Sequence, residues 1–194
     1  MKEKVRCAWP SNDLLMVKYH DEEWGVPIKD DKKIFEFLVL ESAQAGLSWR
    51  TILYKRNGYK KAFVNFDPKR VSKFTKKDVN RLIKNPQIIR NKLKIESTIN
   101  NAKRFLEVQK EFGSFSKYMW GFVKDKQIDG KRKTLKELPV ITKEAEEFSK
   151  DLKKRGFKFL GSTIVYAHMQ AVGMVNDHTT NCFRYKFKMS PRTF

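Results

Sequence analysis

An all-α fold follows from three observations. Apolar residues recur at helical spacing along most of the chain. A capping residue precedes nearly every such stretch. No set of segments alternates with the period of two that a half-buried sheet requires.

The elements follow in order. Residues 7–10, Cys-Ala-Trp-Pro, form an opening loop. Ser11 or Asn12 then caps a short helix over 13–23 that carries Tyr19 and His20, and Trp24-Gly25-Val26-Pro27 ends it. Asp30 and Asp31 cap the next helix, whose first turn is 32–35. In it Ile34, Phe37, Leu38 and Glu41 fall at i, i+3, i+4 and i+7 and share one face. Phe35, Val39 and Leu40 make the opposite side apolar as well, so the helix is buried all round. Glu41 is then a carboxyl group where burial disfavours charge, to be paired, hydrogen-bonded or protonated. Gly46 stops the helix, as a residue that tolerates a left-handed terminus. Leu47 follows, and Ser48 caps a third helix running from Trp49 toward Phe63.

Asp67-Pro68 is a cap with proline at the first helical position, and it opens a short helix through Val71 and Phe74. Thr75-Lys76-Lys77-Asp78 resembles a capping box with Asp in place of Glu, for a helix ending near Lys84. Residues 85–92 make a short connection with a proline and two adjacent isoleucines. A long helix follows over 92–112. This helix, turn, helix unit with basic residues around the turn can hold a DNA phosphate through the exposed amides opening its second helix. Shorter helices follow over 114–123, over 142–155 with Thr142 as cap and Gly156 as stop, and from Ser162 or Thr163 to Ala171, closed by Gly173. The polar, lysine-rich loop at 125–136 is the expected lobe boundary. The tail ends in a basic segment with Lys186, Lys188 and Arg192.

Composition narrows the function. The 194 residues suit one domain, or two small helical lobes sharing a cleft. Hydrophobic residues make up 40%, with 15 Phe and 4 Trp to fill a core. Lys and Arg number 42 against 22 Asp and Glu, a net charge of +20. A lysine-rich genome explains many lysines but not the shortage of acids, so a nucleic-acid partner is favoured. Charges dispersed along the chain disfavour a membrane surface. No apolar run reaches a membrane span and no hydrophobic stretch follows the N-terminus, so the expected location is the cytoplasm.

Cysteine and histidine suggest a metal. Cys7 and His20 lie near one end, His178 and Cys182 near the other. Two thiolates with two imidazoles make a tetrahedral zinc set. Competing readings are a Cys7–Cys182 disulfide, which a reducing compartment disfavours, or four unrelated side chains. Four protein ligands leave no open position, so a zinc ion there is structural and joins the two termini. His168 lies mid-helix as packing or pocket lining.

Several segments together resemble the DNA-3-methyladenine glycosylase I family, bacterial alkylation-repair enzymes of the helix-hairpin-helix superfamily. They are Cys7-x-Trp9, Tyr19-His20-Asp21-x-Glu23-Trp24-Gly25-Val26-Pro27 and Leu40-Glu41-x-x-Gln44-Ala45-Gly46-Leu47-Ser48-Trp49. Phe66-Asp67-Pro68, Ile88-Ile89-Arg90, the run 152–159, and Met169-Gln170-Ala171-x-Gly173-x-Val175-Asn176-Asp177-His178 continue the pattern. The resemblance spans nearly the whole chain and implies a single helical glycosylase domain with a structural zinc on Cys7, His20, His178 and Cys182. It implies that Glu41 and Tyr19 hydrogen-bond the excised base, that Trp49 stacks on it and that Trp9 lies nearby. Gln44, Gly46 and Leu47 would fill the gap left in the duplex, and the Ile88-Ile89-Arg90 turn would grip the backbone. The implied substrate is double-stranded DNA containing 3-methyladenine, acted on by a monomer that leaves an abasic site and has no lyase step.

Two departures bear on mechanism. Many superfamily members carry a catalytic Asp after the hairpin, whereas no Asp occurs here between Asp78 and Asp125. The 3-methyladenine branch lacks it too. At Ala167 relatives often have a small hydroxyl residue, so a water-mediated contact to the base is expected to be missing. Glu41 is expected to stay ionised in the empty pocket, held by Tyr19 and water, so that its charge selects a cationic base. The alternatives are a zinc-stabilised DNA-binding module without catalysis, which needs no buried Glu beside a stacking Trp, and a zinc hydrolase, which needs an open metal position.

Overall fold

The computed structural model describes residues 4–185, among which are nine α-helices and one short pair of parallel strands. The basic end with Lys186, Lys188 and Arg192 lies outside the described residues.

The helix carrying Glu41 spans Asp31–Gln44 and is the second in the chain, α2, after α1 (Leu14–Glu22). Ile34, Phe35, Phe37, Leu38 and Leu40 are at most 1% exposed, which bears out the reading of a helix apolar on all sides. Burying each such side chain contributes about 1.5–3 kcal/mol. α2 packs against α3 (Trp49–Ala62), α6 (Lys92–Phe112), α7 (Phe115–Gly121) and α9 (Ser162–Ala171), so it forms the axis of the molecule. Asp30 caps it by accepting from Lys33 N at 2.7 Å. Asp31 serves another element. It accepts from Phe115 N and Ser116 N, both at 2.8 Å, and ties the start of α2 to the start of α7. At the far end Gly46 has φ +75°, the left-handed conformation expected of it.

Local signals place the other elements well. α4 (Pro68–Val71) opens on Asp67, α5 (Lys76–Leu82) on Thr75, with Asp78 Oδ2 accepting from Thr75 N at 2.9 Å, and α8 (Lys143–Lys154) on Thr142. α1 begins one residue later than expected: its cap is Asp13, which accepts from Leu15 N and Met16 N, not Ser11 or Asn12. α4 is also shorter than expected and ends before Phe74.

The lysine-rich loop expected as a lobe boundary is also tied to the C-terminal part of the chain. Within it β1 (Ile128–Asp129) pairs in parallel with β2 (Val175–Asn176), and Arg132 Nε donates to Asp177 Oδ1 at 3.1 Å. Polar composition reports solvent on one side of a segment; it is blind to backbone pairing on the other. Buried apolar residues from Cys7 to Cys182 form one continuous cluster across both halves of the chain.

Candidate ligand cleft and metal centre

A cleft of about 350 Å³ opens where α1, α2, α3 and α9 converge. α1 contributes Met16 and Tyr19, α2 Glu41 and Gln44, α3 Trp49, and α9 Ala167 and Gln170. Trp9 and Trp24 come from the loops flanking α1, and Leu135 and Leu138 from the segment after β1. The rings form a wall. Tyr19 and Trp49 have centroids 5.2 Å apart with planes tilted by 46°. Trp9 meets Trp24 edge to face at 5.1 Å.

Against that wall sits Glu41, 3% exposed. Its Oε2, Trp9 Nε1 and Trp49 Nε1 are buried without a hydrogen-bond partner among the described residues. An unpaired buried polar atom costs roughly 1–3 kcal/mol, and a stable fold concentrates such atoms where a ligand or water will pair them. Three on lining residues of one aromatic cleft describe a receptor for a flat, polar ring.

Burial pushes the Glu41 carboxyl up from 4.5 to about 8, so the empty site holds it mostly protonated at neutral pH. Burial thus works against the ionised state expected of a Glu41 held by Tyr19 and water. Tyr19 lies close enough for the Glu41 charge to act on it, but no hydrogen bond to Tyr19 engages Glu41 Oε2 among the described residues. Burial first, then that charge, hold the Tyr19 phenol well above its usual range. Behind Tyr19, Arg56 pairs with Glu23 and Glu36 at 2.7 and 2.6 Å. His168 is also buried, with both ring nitrogens unpartnered among the described residues, and burial lowers it to about 3, so it is neutral.

A second polar cluster lies beside the cleft. Cys7, His20, His178 and Cys182 are all buried and their ligating atoms lie within 4.8 Å of one another. Cys182 Sγ is 3.5 Å from His20 Nε2 and 3.7 Å from His178 Nδ1, and Cys7 Sγ is 3.6 Å from His178 Nδ1. A tetrahedral ion with bonds of ~2.3 Å to sulfur and ~2.0–2.1 Å to nitrogen would set these edges near roughly 3.5–3.6 Å. The outer nitrogens are both engaged: His20 Nδ1 with Asp21 at 2.7 Å and His178 Nε2 with Trp24 O at 3.1 Å. Such outer partners orient imidazole ligands. Thr179 N and Arg184 N donate to the two sulfurs, each at 3.4 Å. Hydrogen bonds from Cys7 and the two imidazoles hold Cys182 as a thiolate, while that neighbour and burial push Cys7 upward. A divalent cation removes the conflict by letting both be thiolates. No disulfide joins the two cysteines.

The expected DNA-contacting residues differ in exposure. Gly46 and Leu47 are exposed, Gln44 is half-buried and lines the cleft. Between α5 and α6, Arg90 is exposed and Ile89 half-buried, but Ile88 is buried at 2%, so only its main chain can meet a partner. Trp24, Met16, Gln170, Leu135 and Leu138 also line the cleft, and sequence reasoning does not single them out for that role. Trp24 has a signal, its place in the Glu-Trp-Gly-Val-Pro run; the two leucines, in and just after a lysine-rich loop, have none.

Residues 9–185 match the methyladenine glycosylase family. The chain is 46% identical to DNA-3-methyladenine glycosylase 1 of Escherichia coli over 180 residues, 93% of this chain and 96% of that one. It is 43% identical to DNA-3-methyladenine glycosylase of Haemophilus influenzae over 178 residues, 92% and 96% of the two. A structure of 3-methyladenine DNA glycosylase I from Staphylococcus aureus, solved to describe its recognition of 3-methyladenine, superposes with a TM-score of 0.91 at 38% identity, covering 95% of this chain and 98% of that one. With a family match from residue 9 to 185 and relatives aligned over nearly the whole length, the chain belongs to the methyladenine glycosylase family.

Proposed function

We propose that this protein excises 3-methyladenine from alkylated double-stranded DNA by hydrolysis and leaves an abasic site. The observation that carries the reading is Glu41, buried among aromatic rings with an oxygen that has no partner among the described residues. Methylation at N3 makes the adenine cationic and its glycosidic bond weak. The protein then has to find the base, rotate it out of the stack and hold it. A cation entering the cleft compensates the burial of Glu41 and lowers its pKa, so the carboxyl group releases its proton to solvent and a carboxylate is left beside the ring. Neutral adenine offers no such compensation, so it meets a protonated carboxyl and binds more weakly. Trp49 stacks on the ring and favours an electron-poor one. As the bond from C1′ to the base breaks, its electron pair neutralises the departing base, so no strong general acid is needed. Water then adds to the cationic C1′ of the sugar and loses a proton to solvent, which gives the neutral abasic sugar.

On the DNA side, Gln44, Gly46 and Leu47 enter the gap left in the duplex, and the 88–90 turn with the first amides of α6 holds the backbone as a helix-hairpin-helix unit. Cys7, His20, His178 and Cys182 hold zinc; when bound by four protein ligands the ion is structural. Asp21 and Trp24 O fix its imidazoles, so the same residues also anchor Trp24 in the cleft wall. The protein acts as a cytoplasmic monomer of one domain, and no helix among the described residues is long and apolar enough to cross a membrane.

The test is release of free base from methylated duplex DNA with the product identified by chromatography. Release of 3-methyladenine with intact strands is the expected result. Binding of DNA without base release would leave only a zinc-stabilised binding module.

A further inference from the structure

The connection at 85–91 is seated on α3 rather than merely joining two helices. Tyr59 Oη accepts from Ile89 N at 3.2 Å, and Lys55 Nζ donates to Pro86 O at 2.8 Å. At Gly58 the two backbones approach so closely that an added Cβ would stand 2.3 Å from Gln87 O. α3 itself starts immediately after the turn at 44–48, with Ser48 as its cap. The turn is therefore tied to the connection through α3 on one side.

Lys94, in the first turn of α6, closes the other side. It reaches across to the end of α2, where its Nζ donates to Ala43 O at 2.8 Å and to Ala45 O at 2.6 Å. Those are carbonyls at a helix C-terminus, where the partial charge is negative and intrahelical partners have run out. A charge-assisted pair of bonds there acts as a cap supplied from another element. Ala45 already leaves helical geometry, with ψ 116°, and the residues on either side are Gln44, which lines the cleft, and Gly46. With its ammonium group engaged by two main-chain oxygens, Lys94 faces inward to the turn, unlike its exposed neighbour Lys92.

We infer that Lys94 is a positioning residue that locks the turn at 44–48 to the helix following the DNA-gripping connection, so that backbone grip fixes where Gln44 and Leu47 enter the duplex. The inference rests on the proposed base excision and adds to it a division of labour. Lys94 does not touch the base, the reacting bond or a phosphate. It transmits the register of the grip to the turn that replaces the everted base. Its contribution should therefore appear when a base has to be extruded from a duplex, and be absent when a free base simply enters the cleft.

Lys94→Met keeps the stem and removes both donors. Three readouts separate the possibilities: single-turnover release of 3-methyladenine from methylated duplex, binding of free 3-methyladenine followed by fluorescence of the cleft tryptophans, and the salt dependence of duplex binding. The expected result is at least a roughly tenfold fall in duplex release, free-base affinity within about twofold of wild type, and an unchanged salt slope. Duplex release close to wild type overturns the inference. So does a parallel loss of free-base binding, which means the cleft itself has collapsed. A slope lower by about one overturns it too, since Lys94 would then be a phosphate contact. If the methionine variant fails to fold, Lys94→Gln is read in the same three assays with the same expectations. Failure of the wild-type protein to release base would instead sink the proposed function, and so is distinguishable.

Discussion

Two buried polar clusters lie side by side in this protein, and they are finished to different degrees. Around Cys7, His20, His178 and Cys182, every imidazole nitrogen and both sulfurs have partners, down to Asp21, which is itself paired with Arg6 at 2.7 Å. In the cleft, Glu41 Oε2, Trp9 Nε1 and Trp49 Nε1 have none among the described residues. A fully paired buried network stabilises the fold, whereas an incompletely paired one is a cost that a ligand or water has to offset. The difference follows the proposed division of labour, one cluster joining the chain ends and the other receiving a substrate, although both are built of buried polar residues.

The sharpest break of this comparison is Cys182→Ala. If the first cluster is a metal staple, the variant loses its zinc and its melting temperature falls by on the order of 10 °C, because metal-binding energy is folding energy. Elemental analysis showing full zinc content in the variant would reject the assignment. Asp21→Asn should weaken metal affinity more gently, by roughly 10–100-fold.

The opposite is expected of Glu41→Gln. Excision from duplex should slow by about 2–5 kcal/mol in activation free energy, on the order of 30-fold or more, with affinity for undamaged DNA barely changed. Wild-type excision by the variant would make Glu41 merely structural. Stability should not suffer, and its pH dependence is diagnostic. The folded Glu41 titrates near 8 against 4.5 for the free group, so between these values the folded state holds a proton that the unfolded state has lost. Stability therefore falls as pH rises through that window, at about 1.4 kcal/mol for each pH unit and by up to a few kcal/mol in all. Denaturant titrations from pH 4.5 to 8 should show the decline in wild type and a flatter profile in Glu41→Gln, and equal profiles would contradict the burial argument. The smallest effect belongs to the surface. Duplex binding should be nearly indifferent to sequence and weaken with salt at a slope of roughly −0.9 per phosphate neutralised, and Arg90→Ala should reduce that slope by about one. An unchanged slope would remove Arg90 from the backbone contacts.

Much of the helical order is legible locally. Asp30, Ser48, Asp67, Thr75 and Thr142 sit where caps are expected, because a cap and the helix it opens are neighbours in sequence. The four clustered Cys and His side chains are also legible, since few residue types make soft ligands and the chain has only 2 Cys and 3 His. Other features leave no local trace. Asp31 reads as a cap for its own helix, yet its carboxylate serves α7, more than 80 positions away. Residues 125–136 read as a boundary, yet they carry β1 and lead into Leu135 and Leu138 of the cleft wall.

The sequence by itself determined which segments become helices, that one helix is buried with a carboxyl group on it, and that two Cys–His pairs await a common partner. Those properties depend on residue type and on spacings within a turn or two. Only the tertiary structure decided the charge state of Glu41 and the closure of the cleft by a lysine-rich loop. It also decided the engagement of Lys94 with the end of α2. Each of these depends on how much water is excluded and which distant atoms arrive, and desolvation and long-range contact are properties of the packed chain.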